Sequence, residues 1–86
     1  MYLVVYSVKA KEFMKKLDKN SAERVFSRID NLRNNPFPQD SKFIGRENED
    51  KIFRYRIGDF RALYKIKEND KVVLIVKVDK RPRVYD

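Results

Sequence analysis

The sequence contains no cysteine and no histidine. Without thiols there are neither disulfides nor thiolate metal sites to support a fold, and a reducing compartment is compatible with the chain. Without imidazole the usual general base, the commonest zinc ligand and the Ser-His-Asp and Cys-His nucleophile systems are all excluded. Any chemistry falls to Lys, Arg, Tyr, Asp or Glu. Long apolar runs are missing as well. The longest, Val72 to Val76, has five residues, so nothing can span a bilayer. The N-terminal run Tyr2 to Tyr6 is too short for the core of a signal peptide, and no basic region precedes it. There is no internal repeat, low-complexity tract or linker. The expectation is a soluble cytoplasmic protein.

What the chain does have is positive charge. Lys and Arg number 21 against 13 Asp and Glu, a net charge of +8 on 86 residues. That balance favours an acidic partner: nucleic acid, an acidic protein or a membrane surface. The length predicts one domain, 1–86, with a small core.

Tyr2 to Tyr6 is aromatic and β-branched and reads as a strand. From about Lys9 to Leu17 the period changes, and Phe13, Met14 and Leu17 fall on one helical face. Asp18-Lys19-Asn20 is a short break. A second helix follows, with Asn20 as the expected N-cap and Glu23 at the capping-box position. Ala22, Val25, Phe26, Ile29 and Leu32 make one apolar stripe, read as core. Asn34-Asn35-Pro36 ends this helix, and the two helices form a hairpin that needs a sheet to cover. Residues 36–51 read as a loop, broken by Pro36, Pro38 and Gly45 and anchored by Phe43 and Ile44; Arg46 to Lys51 is an exposed, charge-mixed part of it.

Residues 53–64 read as a β-hairpin, with alternating runs on both sides of Gly58-Asp59, a pair suited to a tight turn. Phe53, Tyr55 and Ile57 share one face, and Arg54 and Arg56 the other. A two-residue loop places Arg56 opposite Arg61, where like charges destabilise the ladder unless an anion lies between them. The alternative is a solvated basic face on an amphipathic sheet. After a turn at Glu68 to Lys71, Val72 to Val76 is apolar on both faces and reads as an interior strand. Its register against the strand from Phe60 is left open by the sequence. The predicted order is β-α-α-β-β-β, an α+β fold: a twisted, mainly antiparallel sheet with the helical hairpin on one face.

Beyond the last strand the chain reads Asp79-Lys80-Arg81-Pro82-Arg83-Val84-Tyr85-Asp86. Pro82 ends regular pairing. If the last two strands are neighbours, this tail lies near the Gly58-Asp59 turn. Arg54, Arg56, Arg61, Arg81, Arg83 and Tyr85 then share one sheet edge. Guanidinium forks suit phosphate oxygens, and an aromatic ring among cations is how single-stranded RNA bases are held.

The aromatic-basic-aromatic-basic strand, the Gly-Asp turn, Phe60-Arg61-Ala62-Leu63-Tyr64, the apolar strand and the tail from Lys80 to Tyr85 together resemble the RelE toxins of prokaryotic toxin–antitoxin systems, within the RelE/ParE superfamily. The resemblance covers the whole chain. It implies a type II toxin that enters the ribosomal A site, cuts mRNA there and is neutralised by a cognate RelB-like antitoxin in a heterodimer or heterotetramer. Ribosome, mRNA and rRNA are then the other partners, with no membrane, metal or other cofactor required. Arg61 and Arg81 match family arginines at the scissile phosphate, and Tyr85 the C-terminal tyrosine that stacks on the substrate and supports catalysis. Arg54, Arg56, Lys80 and Arg83 are the remaining candidates for RNA and phosphate binding.

Arg54 and Arg56 stand where some members carry two lysines. Arginine stays charged, so these positions suit phosphate binding and not proton transfer. The mechanism implied is attack by the RNA 2′-hydroxyl on the adjacent phosphate, with arginines stabilising the phosphorane. Tyr85, its pKa lowered by nearby cations, takes the proton. Lys80 or the ribosome are the other groups on which acid–base duty could fall. The lysines at 9, 11, 15, 16 and 19 serve solubility, rRNA contact or both. Two alternatives stand beside this reading. A ParE-type relative shares the fold, acts on DNA gyrase and needs no RNA-cleaving site. A non-catalytic or inactivated RNA-binding relative is favoured by the arginines at 54 and 56.

Overall fold

Alternation in three consecutive strands builds the centre of the molecule. Phe53, Tyr55 and Ile57 of β3 (Asp50–Ile57), Phe60, Ala62, Tyr64 and Ile66 of β4 (Phe60–Lys67), and Val73, Ile75 and Val78 of β5 (Val72–Lys80) are all buried. Most residues between them are partly or fully exposed. One face of the sheet is therefore core and the other meets solvent. The structure, a computed structural model, describes residues 1–81.

Helices cover the apolar face. Val25 and Ile29 of α2 (Lys19–Asp30), Leu32 of the short 3-10 turn Asn31–Arg33, and Ala10 of α1 (Val8–Lys15) are buried against it. Phe13, Met14 and Leu17 pack beside them, half-buried. Tyr64 has no exposed surface and stacks on Phe53 at 5.5 Å between centroids. Its hydroxyl donates to the Pro36 carbonyl at 2.7 Å and so fixes the chain as it leaves the helical segment. No helix among the described residues is long and apolar enough to cross a membrane.

The sheet has the order β1-β5-β4-β3-β2, with β1 (Leu3–Tyr6) parallel to β5 and every other pair antiparallel. Val72 to Val76 is thus part of an interior strand, as its apolarity requires. Two bulges adjust the registers. Across β4 and β5 the pairing steps from Tyr64↔Ile75 to Leu63↔Lys77, so Val76 is the extra residue. Ser7 closes that point. Its hydroxyl donates to the Val76 carbonyl at 2.7 Å and accepts from the Ala10 amide at 3.0 Å, capping α1.

Four expectations are corrected. Residues 41–47 are not loop but an edge strand, β2 (Ser41–Glu47), so the order is β-α-α-β-β-β-β. Its alternation is broken at Ile44, the extra residue where the register steps from Phe43↔Phe53 to Gly45↔Ile52. Ile44 and Phe43 are about half exposed, 46% and 51%, and so contribute little to the core; Phe43 only edges against Phe53 at 5.7 Å. The N-cap of α2 is Asp18, whose carboxylate accepts from the Ser21 amide at 3.1 Å; Asn20 lies inside the helix. Phe26, at the border of the apolar stripe, is 53% exposed and stacks on Tyr6.

At the β3–β4 turn Gly58 has φ +57°, and no positive φ occurs at Asp59, the pattern of a type II′ hairpin. Space does not demand glycine there, since the nearest atom to an added Cβ is Arg24 Nε at 3.9 Å. Conformation does. Gly58→Ala is therefore expected to destabilise the fold by about 1–2 kcal/mol, and Ser7→Ala by a similar amount, measured by urea unfolding.

Burial pushes the phenols of Tyr6 and Tyr64 up to about 12, from an ordinary value of 10.0. The fold favours the protonated form, so this stability is complete below the unfolded pKa and is lost as pH rises through the folded one. Unfolding free energy should fall between pH 10 and about 12. The expected slope is about 1.4 kcal/mol per pH unit for each phenol. Tyr64→Phe should flatten the slope, while Tyr6→Phe should do so at little cost, because the Tyr6 hydroxyl is buried without a partner among the described residues.

Candidate nucleic-acid interface

The face opposite the helices carries the cations. In one cross-strand row Arg56 lies opposite Arg61, and Arg61 opposite Asp79. In the next, Lys42, Arg54, Leu63 and Lys77 follow one another across β2 to β5. Between these rows is an open cleft of about 210 Å³. Arg54, Arg61, Leu63, Lys77 and Asp79 line it, together with Ala62 and the bulged Ile44. The bulge in β2 thus brings an apolar side chain beside a group of cations, a combination that suits a base next to its phosphate.

Asp79 sets the electrostatics of the cleft. Arg61 donates to it twice, from Nε at 2.9 Å and from Nη2 at 3.4 Å, and Lys77 Nζ lies 3.4 Å away. Burial alone raises the Asp79 carboxyl, but the Arg61 and Lys77 contacts outweigh it and hold the group below its ordinary range. The Asp79 hydrogen bond in turn raises Arg61. Towards the other end of the face Lys65 pairs with Glu47 and Lys67 with Asp50. Among the described residues, Lys42, Arg54 and Arg56 have no salt-bridge partner. They are the cations most available to an incoming anion. No cluster of potential metal ligands occurs among the described residues.

Arg54, Arg56 and Arg61 share one face as their spacing predicts. Arg81 lies at the hairpin tip: its amide donates to the Asp59 carbonyl at 2.7 Å and its Nη1 to the Gly58 carbonyl at 2.9 Å. Those contacts use one of its five guanidinium hydrogens and leave the others for a ligand. Lys80 is not brought to the cluster. It stands opposite Phe60, on the helix-covered side of the strand. Arg83 and Tyr85 lie outside the described residues. Lys77 and Asp79 are lining residues that the sequence reading left without a role. Placing them needs the β4–β5 register, which the Val76 bulge decides.

Residues 4–85 match the family model described as ParE toxin of type II toxin–antitoxin system, parDE. A curated relative from Methanocaldococcus jannaschii, named "Putative toxin RelE1", is 30% identical over 73 residues, which are 84% of this chain and 81% of that protein. The archaeal RelE–RelB complex from Pyrococcus horikoshii contains a chain that superposes with a TM-score of 0.87 at 27% identity, covering 96% of this chain and 98% of that one. The RelBE2 complex of Mycobacterium tuberculosis gives 0.78 at 27% identity, with 93% and 98% covered. Isolated Escherichia coli RelE, at 19% identity and 0.76, shares the fold, with 98% of this chain and 88% of that one covered. A family match over nearly the whole chain, on a sheet and helical hairpin of the same architecture, makes this protein a member of the ParE toxin family and so a type II toxin of the RelE/ParE superfamily.

Proposed function

We propose that this toxin is a ribosome-dependent endoribonuclease that cuts mRNA in the A site. The observation that carries this reading is the placement of Arg54, Arg56 and Arg61 on one open sheet face, where Arg54 and Arg61 line a cleft with an apolar wall, while Arg81 lies at the tip of the same hairpin. RNA supplies the nucleophile, its own 2′-hydroxyl. Attack forms the bond from the 2′-oxygen to phosphorus and breaks the bond from phosphorus to the 5′-oxygen, which takes a proton from water, giving a 2′,3′-cyclic phosphate and a 5′-hydroxyl. Arg61 and Arg81 stabilise the added negative charge, and Arg54 and Arg56 hold neighbouring phosphates. Tyr85 is the residue assigned to stack on the base and accept the 2′-proton. The ribosome supplies orientation, which a site without histidine needs most.

The inhibitory partner on this reading is a RelB-like antitoxin. Solved relatives in complex with RelB support it. So does the surface, where Leu3, Val8, Phe26 and Phe37 are exposed apolar residues on a basic protein. An acidic, amphipathic chain would cover the apolar residues and neutralise part of the +8 charge.

A second reading, a ParE-type gyrase inhibitor, is favoured by the family model that the chain matches. Primer extension on a reporter mRNA in a translation extract separates the two. Cuts confined to translated message, in phase with codons, are expected. They should fall on the order of 10²–10³-fold with Arg61→Ala. Arg81→Lys, which retains a donor for the Gly58 carbonyl, separates lost chemistry from a loosened hairpin tip. Absence of cuts, with supercoiling by gyrase blocked instead, would establish the second reading.

A further inference from the structure

Asp79 is the one carboxylate among the described residues that line the cleft, and it faces the cation assigned to the scissile phosphate. Its two oxygens meet Nε and Nη2 of Arg61 side by side, the same fork that a phosphate group would occupy. Opposite like charges at Arg56 and Arg61 call for an anion, and Asp79 supplies one from the next strand of the same row.

We propose that Asp79 is a built-in stand-in for the RNA phosphate, holding Arg61 until substrate takes its place. The inference rests on the RNA-cleaving reading above. Asp79 is here a positioning residue, acting through Arg61. The side chains are 34% and 26% exposed, so the pair is neither sealed nor fully solvated and can exchange. In exchange the guanidinium gives up the carboxylate for a phosphate oxygen. Asp79 then keeps Lys77 as its counter-ion, 3.4 Å away. The arrangement keeps Arg61 extended along the sheet and lowers its affinity for stray anions. Only a phosphate that Arg54 and Arg56 also engage displaces the carboxylate.

The test is equilibrium binding of a short single-stranded RNA, methylated at every 2′-oxygen so that it cannot be cut. The wild-type toxin, Asp79→Asn, Arg61→Ala and the double variant are compared. Asn is close to isosteric with Asp, and Asp79→Glu, which keeps the charge, should behave as wild type. Asp79→Asn is expected to tighten binding about fivefold, the strength of an ordinary exposed pair. The slope of log affinity against log salt should change little, because the same phosphates are neutralised once the carboxylate has been displaced. With Arg61 absent, Asp79→Asn should change affinity less than about twofold. Unchanged or weaker binding by Asp79→Asn, or an equal gain without Arg61, would overturn the proposal while leaving RNA recognition standing. Failure of all five proteins to bind the RNA would bring down the RNA-cleaving reading itself.

Discussion

The period-2 alternation of β4 is the constraint on which the rest depends. Phe60, Ala62, Tyr64 and Ile66 must face one way because they are the floor of the core. Arg61, Leu63, Lys65 and Lys67 must then face the other. A strand of this kind has no freedom to slip by one residue, since that would bury four polar or bulky positions and expose the core. The site and the core are thus two sides of one pattern. A mutation that damages packing at Tyr64 displaces Arg61 as well, which is why the isosteric and charge-conserving variants are the informative ones.

Alternation alone does not assemble the cleft; the two bulges do. The extra residue at Val76 shifts the far end of β5 so that Lys77 and Asp79 fall beside Leu63 and Arg61. The extra residue at Ile44 turns an apolar side chain towards the cations. Each bulge also leaves a backbone group to be satisfied, and at Val76 the Ser7 hydroxyl does so while capping α1. Helix start, strand exit and cleft geometry are therefore joined at one side chain far from the cations it helps to place.

The central hairpin was legible because Gly58-Asp59 and clean alternation on both sides specify it locally. The interior position of Val72–Val76 followed from apolarity on both faces. What escaped was non-local. Ser41–Glu47 pairs only on one side, and its pattern is interrupted at Ile44 and Gly45, so it carried less strand signal than the two prolines before it carried loop signal. A cue did exist: Asn48, at φ +56°, begins a two-residue turn between Glu47 and Asp50, and asparagine tolerates that conformation. Asp79 was visible as a residue but not as a partner, because its neighbour is settled by a register that the Glu68–Lys71 turn does not reveal. The separation of Lys80 from the arginines has the same origin.

The tyrosines bear on how a site without histidine moves a proton. Tyr2 donates to Glu68 at the far end of the β4–β5 turn. Tyr6 and Tyr64 are raised to about 12 by burial, and their protons are held through the physiological range. The Tyr55 hydroxyl accepts from Arg28 Nε on the helix side of the sheet. None of these four reaches the cation-bearing face. The lysines of that face at 65, 67 and 77 are each committed to a carboxylate, and the Asp50 hydrogen bond raises Lys67. Asp79 remains an anion beside Arg61 and Lys77, and arginine does not release its proton near neutrality. On the RNA-cleaving reading, proton transfer therefore falls on Tyr85, on Lys42, or on a group of the ribosome. Nearby cations favour the deprotonated form of a phenol, the form that accepts a proton. On that reading the arginines that bind the phosphate would also favour the base, and a site without histidine could still move the proton.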